Sequence, residues 1–517
     1  MKTVATLVCA AAVLSLCASA WPAILYVPSQ YSTIQGAINA CSVGDTVMVA
    51  PGTYTGSGNR DLDFGGKDIC VMSSNGPWVT VIDSQGSSSN PHRGFIFQNS
   101  ETPSATVQGF TIQNGWAGDG GAVSCQNSSP TITGNVIQGN TAQYIGGGIS
   151  FLGGSSPVIT GNFILANGAN AGGGIYGQDP STPTVSGNLI EANAAAQDGS
   201  GIAFGPLCGG TISGNTIRGN AGGGMGGGIA CYASFPSIVG NKIDLNSGPM
   251  GGGGIACWYF SSPTIDSNTI VGNVAGSNPG GGIWCWQWSS PTMDRNTFSG
   301  NFAGNGGAIG CDMGCTPTVR NSILWANVST TNPEIYVGPN SSTITVDYTD
   351  VQGGWPGTGN INADPKFLLP PQLDFRLLWP SPCIDAGDPT PSLNDPDGTR
   401  RDMGAHYFDQ GPTLTLYLTP SSSHVTPGGQ LRVRYTVINR NAGPVTFSVV
   451  SNVVLPNGNT LNVLGPSSYT IPGNVTVQRT LTHNAPAAAP VGHYQYQSSI
   501  TGILNPPPMQ VFGFLVP

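Results

Sequence analysis

The chain has 517 residues, of which 8% are charged and 77 are glycine, and its formal net charge is −9. This length exceeds what one compact core usually holds, so an elongated domain or more than one domain is expected. The low charge and the many apolar residues exclude a disordered chain, and the lack of a basic run excludes nucleic acid as a partner, because that binding rests on Lys and Arg meeting phosphate.

Residues 1–20 have the pattern of a secretory signal peptide. Lys2 is followed by an apolar run and then by the small residues ASA, which predict cleavage after Ala20. Cys17 raises a lipoprotein alternative, but bulky Leu16 stands where such a site needs a small residue. No later apolar segment is long enough to span a bilayer. We therefore expect a chain that is secreted or held at the cell surface, without a transmembrane helix.

The next segment predicts a short helix and then a first strand. Ser32 and Gln35 have the spacing of a capping box, and Ile34 and Ile38 mark a buried helix face. The run DTVMV, which starts at Asp45, reads as a strand. We expect the helix to cover the otherwise bare edge of the first strands.

The middle of the chain repeats one phrase with a period of 26 to 28 residues. In each unit the phrase P-T-I-x-G-N supplies an asparagine, a second asparagine follows five residues later, and the phrase G-G-G-I keeps the same period. The first asparagines are Asn135, Asn162, Asn188, Asn215, Asn241, Asn268 and Asn296. The second are Asn140, Asn167, Asn193, Asn220, Asn246, Asn273 and Asn301.

Each unit consists of short alternating segments separated by Gly, Asn, Ser and Pro, and none has helical length. Such a unit is one coil of a parallel β-helix, which buries its inner face only by stacking on its neighbours. Asparagine columns are expected at the corners, because Asn tolerates a left-handed backbone and its amide can bond the same amide in the next coil. The predicted inner apolar column is Ile137, Ile164, Ile190, Ile217, Ile243, Ile270 and Phe298.

The repeat stops near residue 409, and the pattern of the chain changes. Residues 412–517 contain about seven short alternating strands, separated by Pro-Gly, Asn-Gly and Ala-Pro turns. This spacing is typical of an immunoglobulin-like β-sandwich. In this position we expect such a module to act as a spacer or a docking piece.

Segments near both ends of the repeat resemble known secreted proteins. YVPSQYSTIQGAINACSVGDTVMVAPGTYTG is similar to the opening of right-handed parallel β-helix proteins of the pectate-lyase-like fold. GNINADPKF, DFRLLWPSPCIDAGDP and DPDGTRRDMGAHYF resemble the closing segment of secreted β-helix proteins of the choice-of-anchor Q type. The resemblance implies an all-β chain: a right-handed parallel β-helix (solenoid) over 21–409 with an N-terminal helical cap, followed by the C-terminal immunoglobulin-like β-sandwich over 412–517. It leaves the activity open, since one fold hosts many functions.

Five cysteines share one position in the repeat, two residues after the Val or Ile that ends the glycine phrase, and are expected to point inward. Buried free thiols that pack as small hydrophobes are the favoured interpretation. Stacked Cα atoms lie about 4.8 Å apart, which leaves a bridge such as Cys257 to Cys285 open. A column does not converge tetrahedrally, so no metal ion or cofactor is predicted. The five residues are Cys125, Cys231, Cys257, Cys285 and Cys311.

Glu191, Arg218 and Asp244 share an outward position on three successive coils. A polysaccharide lyase on this fold would use an Arg or Lys base beside carboxylates that hold Ca²⁺. A plain surface ion ladder looks the same and is the favoured interpretation, because no histidine and no calcium cluster accompany the three residues. The run NDPDGTRRD, residues 394–402, has the oxygen ligands of a calcium loop but lacks the bidentate Glu, so a structural turn is predicted.

Aromatic residues on three successive coils are the most informative surface feature. If Ile255 and Cys257 point inward, their outward neighbours include Trp258. A patch of exposed rings marks a binding site, and flat rings in a row suit the sugar rings of an extended glycan. The alternative is that the rings stack coil on coil or lie under another domain. The candidate carbohydrate-binding residues are Tyr232, Trp258, Phe260, Trp284, Trp286 and Trp288.

Two classes of function stay open. A non-catalytic exported protein that binds an extracellular polysaccharide, a cell-surface glycan or another extracellular partner is favoured, because the coils are regular, poor in charge and without a convergent acid–base set. The alternative is a polysaccharide-degrading enzyme, either a pectate-lyase-like lyase or a glycoside hydrolase, that acts on the β-helix face. No catalytic residue is assigned, and a monomer is expected.

Overall fold

The structure is a computed structural model that describes residues 22–502 and 509–516. The predicted signal peptide lies outside the described residues. From residue 24 to residue 351 the chain forms a parallel β-solenoid of about 13 turns. In the part of the chain that the structure describes, no helix is both long and apolar enough to cross a membrane.

Three long parallel sheets run along the solenoid, and the chain visits them in the order A, B, C in each turn. Sheet A consists of Ile24–Val27, Thr46–Val49, Cys70–Ser73, Thr106–Gln108, Thr131–Thr133, Val158–Thr160, Thr184–Ser186, Thr211–Ser213, Ser237–Val239, Thr264–Asp266, Thr292–Asp294, Thr318–Arg320 and Thr345–Asp347. Sheet B consists of Gly52–Tyr54, Thr80–Asp83, Thr111–Gln113, Val136–Gln138, Phe163–Leu165, Leu189–Glu191, Thr216–Arg218, Lys242–Asp244, Thr269–Val271, Thr297–Ser299, Ile323–Trp325 and Asp350–Val351. Sheet C consists of Leu62–Asp63, Phe95–Phe97, Val123–Gln126, Ile149–Leu152, Ile175–Gly177, Ile202–Phe204, Ile229–Tyr232, Ile255–Trp258, Ile283–Trp286, Ile309–Cys311 and Ile335–Val337.

Short strands lie in the connections between sheets B and C. One group of four is Trp116–Asp119, Thr141–Ile145, Gly168–Ala169 and Ala194–Ala195. A further pair is Phe302–Asn305 and Val328–Thr331. These connections flank the outer face of sheet C, where the candidate site is described below.

Two columns of buried asparagines join successive turns, one at the corner between sheets A and B and one after sheet B. In the first column the main-chain N–H and Nδ2 of Asn135 donate to Oδ1 of Asn162, at 3.0 and 3.1 Å. The same pair of bonds recurs in each turn down to Asn296. The predicted columns are therefore confirmed, and the predicted inner apolar column is in register and fully buried.

A helix at Ile34–Ala40 packs against the first strands of sheets A and C. Ile34 and Ile38 are buried as the pattern predicts. The N-cap is Thr33 rather than Ser32, and the Thr33 hydroxyl accepts the N–H of Gly36 at 3.2 Å. The predicted capping box therefore does not form: the Gln35 side chain instead bonds the main chain of the first sheet C strand.

After the solenoid the chain forms a hairpin, two short 3₁₀ helices and two antiparallel sheets. The hairpin is Phe367–Leu369 with Asp374–Leu377, and the 3₁₀ helices are Pro370–Gln372 and Pro391–Leu393. One antiparallel sheet is Leu414–Pro420, Gln430–Asn439 and Val475–Asn484. The other is Thr460–Ile471, Val445–Val454, Gly492–Thr501 and Met509–Val516. Both sheets contribute to one apolar core that is separate from the core of the solenoid.

Candidate functional site

Sheet C is the face of the solenoid that displays the candidate residues. Along each strand the side chains alternate between the interior and the outer face. Ile255 and Cys257 are fully buried in the solenoid core, and Ala256 and Trp258, which alternate with them along the strand, face outward. The predicted inward direction of the cysteine column is confirmed.

The cysteine column is buried and unbridged, in agreement with the favoured interpretation. All five members are free and 0% exposed. Burial raises the pKa of Cys285 well above its ordinary value. The protonated thiol is a poor nucleophile and a poor metal ligand, so the column acts as packing.

A pocket of about 210 Å³ opens on the outer face of sheet C. Its floor consists of Ala203 and Ala230, which are stacked on successive strands. Tyr176 lies one strand before this floor, and Tyr232 lies on the strand of Ala230. Ala256 follows them in the same column, so three small residues in succession leave a gap between larger side chains, and the first two of them line the pocket.

Gly205 lengthens the pocket because it has no side chain where later turns have rings. A Cβ atom at Gly205 would lie 2.9 Å from the hydroxyl oxygen of Tyr176. That hydroxyl donates to Oε1 of Gln178 at 2.8 Å, which fixes the orientation of the ring. The Tyr176 ring thus lies along one end of the pocket with its polar tip held by protein.

Asp198 supplies the charge of the pocket wall. Its Oδ1 accepts the main-chain N–H of Met225 at 3.0 Å, and burial raises its pKa. In residues 22–502 and 509–516, no cationic side chain lies within 4.0 Å of this carboxylate. Burial first, and then nearby carboxylates that include Asp179 and Asp119, raise the pKa of Tyr176 to about 12. The pocket is therefore an acidic environment.

Five aromatic rings continue from the pocket around the corner of the solenoid, and we call them the aromatic ridge. Each is in contact with the next, with ring centroids 5.2 to 5.5 Å apart. The Phe260 and Trp288 rings are stacked at an interplanar angle of 12°. In spatial order the aromatic ridge is Trp258, Tyr232, Tyr259, Phe260 and Trp288.

The six residues predicted from the sequence differ in exposure. Phe260 and Trp288 are 52% and 54% exposed, and Tyr232 and Trp286 are half-buried. Trp258 is only 9% exposed, because its outward side chain packs with the alanines of the pocket floor and with neighbouring rings. This burial gives Trp258 a structural role that outward alternation alone does not indicate.

Trp284 is not part of the aromatic ridge. It is 7% exposed, and its indole packs against two glycines: a Cβ atom at Gly251 or Gly310 would lie 2.8 Å from the ring. The Trp284 side chain points outward as expected, but glycine-rich connections cover its ring. The expectation of an exposed ring at this position is therefore wrong.

Two aromatic residues of this face are absent from the predicted set. Tyr176 occupies the same position of the repeat as Trp284, directly after the isoleucine of the glycine phrase, and its side chain also points outward. The repeat could therefore have identified it. Tyr259 is 45% exposed and has a φ of 56°. It lies just beyond the strand, where alternation no longer specifies direction.

The charged residues Glu191, Arg218 and Asp244 form the predicted ion ladder on neighbouring strands of sheet B, with Arg218 Nε 3.9 Å from Glu191, but the Asp244 end of the ladder is not at the surface. Asp244 is 0% exposed, with Arg218 Nε 3.5 Å from one carboxylate oxygen and Lys242 Nζ 3.7 Å from the other. Arg218 also donates to Ser423 Oγ of the C-terminal sheets at 2.9 Å. Burial raises the pKa of Asp244 despite the two cations. These charges therefore fasten the C-terminal sheets to the solenoid.

The acidic run at residues 394–402 forms a turn, as predicted. Oδ2 of Asp395 accepts the N–H of Asp402 at 2.7 Å. Oδ1 of Asp397 accepts the N–H of Thr399 at 3.0 Å. The carboxylates thus bind main-chain donors within their own segment.

Comparison with known proteins supports the fold. Residues 69–243 match the family model described as right handed beta helix region, and residues 181–307 match the model described as periplasmic copper-binding protein (NosD). No curated protein matches the chain.

One solved structure, the Pseudomonas fluorescens alkylpurine DNA glycosylase AlkC bound to DNA containing an abasic site analog, aligns at 8% identity with a TM-score of 0.18. The alignment covers 21% of this chain and 32% of that chain, and a likeness this weak carries no argument. The parallel solenoid and the two family matches together support a right-handed β-helix repeat protein.

Proposed function

We propose that this is an exported, extracellular or periplasmic β-helix protein that binds an extended carbohydrate on the outer face of sheet C without cleaving it. The aromatic ridge carries the proposal. Three of its five rings are at least 45% exposed, and such a cluster is costly to leave in water. Rings that are each in contact with the next offer a continuous apolar surface to a chain of sugar rings, as an aromatic contact surface does in other binding sites.

The pocket beside the aromatic ridge adds the polar part of the site. Gln197 and Asp198 line it together with Tyr176, so hydroxyl groups of a sugar would find acceptors and donors next to a ring face. Binding sites commonly combine an apolar surface with a few polar groups that fix orientation. The candidate binding residues are thus Tyr176, Tyr232, Trp258, Tyr259, Phe260 and Trp288, with Trp286 beside them.

Export rests on the predicted signal peptide, residues 1–20, together with the periplasmic family that residues 181–307 match. We do not extend copper binding to this chain, because its stacked cysteines are buried thiols with raised pKa values.

For the domains, we propose a β-helix over 21–409 whose first coil is covered by the helix Ile34–Ala40, and an immunoglobulin-like sandwich over 412–517. The seven antiparallel strands in two sheets around one core support the second assignment. This domain contacts sheet B, where Arg218 donates to Ser423 Oγ and the Phe163 ring lies 5.7 Å from the His493 ring, so we expect sheet C to be free for a ligand. We expect a monomer.

A polysaccharide-degrading enzyme is the second candidate, and one observation favours it. Asp198 is a carboxyl group with a raised pKa in a pocket, which is a property of general acids. Glycoside hydrolysis, however, uses two carboxyl groups that flank the scissile bond, and Asp198 is the one carboxylate among the residues that line the pocket. Binding without cleavage is therefore the better-supported function.

Incubation of the purified protein with a panel of polysaccharides tests this proposal. The panel contains cellulose, xylan, chitin, a mixed-linkage glucan and polygalacturonate, and both retention of the protein and release of reducing or unsaturated ends are measured. We expect retention by at least one polysaccharide and no product above the buffer control. Retention by none would contradict the binding function, and product release at enzyme-like rates would favour the second candidate.

A further inference from the structure

We propose that the pocket between Tyr176 and Tyr232 binds an alkylammonium group, which makes a glycan that carries amino groups the preferred ligand of sheet C. This inference deepens the proposed function and rests on it for the identity of the ligand as a glycan. It depends on the ring faces, the single carboxylate and the distribution of charge around sheet C.

The composition of the pocket is that of a cation site. Tyr176, Tyr232 and Trp258 line it together with Asp198. The face of an aromatic ring attracts a cation that lies within about 6 Å of the centroid, and cages of such rings recognise alkylammonium ligands. A carboxylate in the same wall adds a charge-assisted hydrogen bond to a primary ammonium group.

Asp198 has the bonding capacity that this role requires. One carboxylate oxygen accepts the N–H of Met225, and no other hydrogen bond to the carboxylate of Asp198 occurs in the described part of the chain. A partly buried carboxylate without a cationic partner is costly to ionise, and an incoming ammonium group would relieve that cost.

The wider surroundings of sheet C favour cations and oppose anions. No Lys or Arg lies between Arg93 and Arg218 in the sequence, although five turns of the solenoid begin in this interval. Asp119 and Asp179 lie close enough to affect Tyr176 electrostatically. Asp198 is the one charged residue among those that line the pocket, so a polyuronate would meet like charge there, which opposes binding at low ionic strength.

The size of the pocket fits one sugar unit rather than a polymer segment. The alanine floor and Gly205 leave about 210 Å³ between the two tyrosines. An amino sugar placed there would rest its ring on the alanines, with its nitrogen directed towards Asp198. The rest of the chain would continue along the aromatic ridge, which starts at Trp258 and Tyr232.

Titration calorimetry of the full chain with three hexasaccharides tests the inference. At pH 6 and low salt we expect the glucosamine hexamer to bind at least about tenfold more tightly than the N-acetylglucosamine hexamer, a difference in line with one desolvated cation contact. The galacturonic acid hexamer should show no binding. Tetramethylammonium is added as a separate probe, and saturation-transfer NMR reports its contact with the protein.

Two variants assign the preference to the pocket. Asp198→Asn keeps an oxygen for the N–H of Met225 and removes the charge, so the ratio of the two affinities should fall from about tenfold to less than about twofold. Ala230→Leu fills the floor and should remove the tetramethylammonium signal, while circular dichroism shows whether it folds. Asp198→Asn provides the test if Ala230→Leu does not fold.

The outcomes separate the two proposals. If the neutral and amino hexamers bind equally, the ammonium site is wrong and the glycan-binding function stands. If tetramethylammonium binds in an Asp198-dependent way but no hexamer or polysaccharide does, the ammonium site stands and the glycan-binding function is wrong. If none of the probes binds, both are wrong.

Discussion

Replacement of Asn215 by alanine is expected to lower the free energy of unfolding by about 4 kcal/mol. Oδ1 of Asn215 accepts both the N–H and Nδ2 of Asn188 at 2.9 Å. Its Nδ2 donates to the carbonyl oxygen of Val185 and to Asn241 Oδ1, each at 2.9 Å. The substitution leaves the Asn188 N–H and the Val185 carbonyl buried without partners, and each unmet group costs about 1 to 3 kcal/mol.

Urea denaturation followed by circular dichroism measures this effect. Asn90→Ala is the matched control, because Asn90 is exposed and its side chain makes no hydrogen bond in the described structure. We expect the control to lie within about 0.5 kcal/mol of the native protein. A loss of less than about 1 kcal/mol for Asn215→Ala would show that the column does not hold the turns together.

The second asparagine column ends on a carboxyl group, and we expect this group to make the stability of the protein depend on pH. That column ends at Asn327, whose N–H and Nδ2 both donate to the carboxyl group of Glu334. Burial raises the pKa of Glu334 from 4.5 to about 7, and the bonds from Asn327 lower it only in part. The carboxyl group that ends the column is therefore protonated in the folded state below about pH 7.

The sign of the effect follows from linkage. A folded-state pKa above the unfolded value contributes stability that is fully present below the unfolded pKa and is lost as the pH rises through the folded pKa. For Glu334 this stability is lost as the pH rises from about 4.5 to about 7. Between pH 5 and pH 8.5 the native protein should lose about 2 to 3 kcal/mol relative to Glu334→Gln, whose side chain does not titrate.

Denaturation of both proteins at the two pH values checks this prediction. Other buried carboxyl groups also titrate, so the quantity to compare is the difference between native protein and variant at each pH. Asp364→Asn serves as the control, since Asp364 is exposed and should show no such change. A native-minus-variant difference that is equal at pH 5 and pH 8.5 would contradict the assignment to Glu334.

The solenoid could be predicted because its determinants repeat. A period shared by two asparagines and a glycine phrase fixes the register of every turn, and the structure pairs Ile137 with Ile164 and Ile164 with Ile190 accordingly. The inward direction of Cys257 followed from the same alternation. Errors appear where a single turn departs from the repeat: the helix begins one residue later than expected, at a Thr33 cap.

Exposure of the aromatic residues could not be predicted, because it depends on neighbours outside the strand. Alternation gives the outward direction of Trp258 and Trp284 but says nothing about the connections and rings that cover them. Beyond the strand end the backbone is left-handed at Tyr259 and Phe260, so the alternation of side chains between the two faces no longer applies there. The pocket was missed for a related reason. It forms where the small side chains of Ala203 and Ala230 leave space on the outer face, and an alanine at an outward position does not by itself indicate a pocket.

The repeat predicted correctly that the charged residues of sheet B share one column, but the prediction that this column lies at the surface was wrong for Asp244. Arg218 and Asp244 share a column, as the period predicts, yet Ser423 and Lys242 complete a cluster around the buried Asp244 there. Contacts between segments distant in the sequence cannot be derived from the period of one of them. The same limit applies to the docking of the C-terminal sheets.

Binding to the double variant Phe260→Ala/Trp288→Ala tests the central claim most directly. These two rings are more than half exposed and stack on each other, so their removal should weaken binding of the best-retained polysaccharide at least about tenfold and shift the melting temperature by less than about 2 °C. Tyr26→Ala is the control, because Tyr26 is 44% exposed on the first strand of sheet A. Unchanged affinity in the double variant, or an equal loss in the Tyr26 control, would contradict a carbohydrate site on the aromatic ridge.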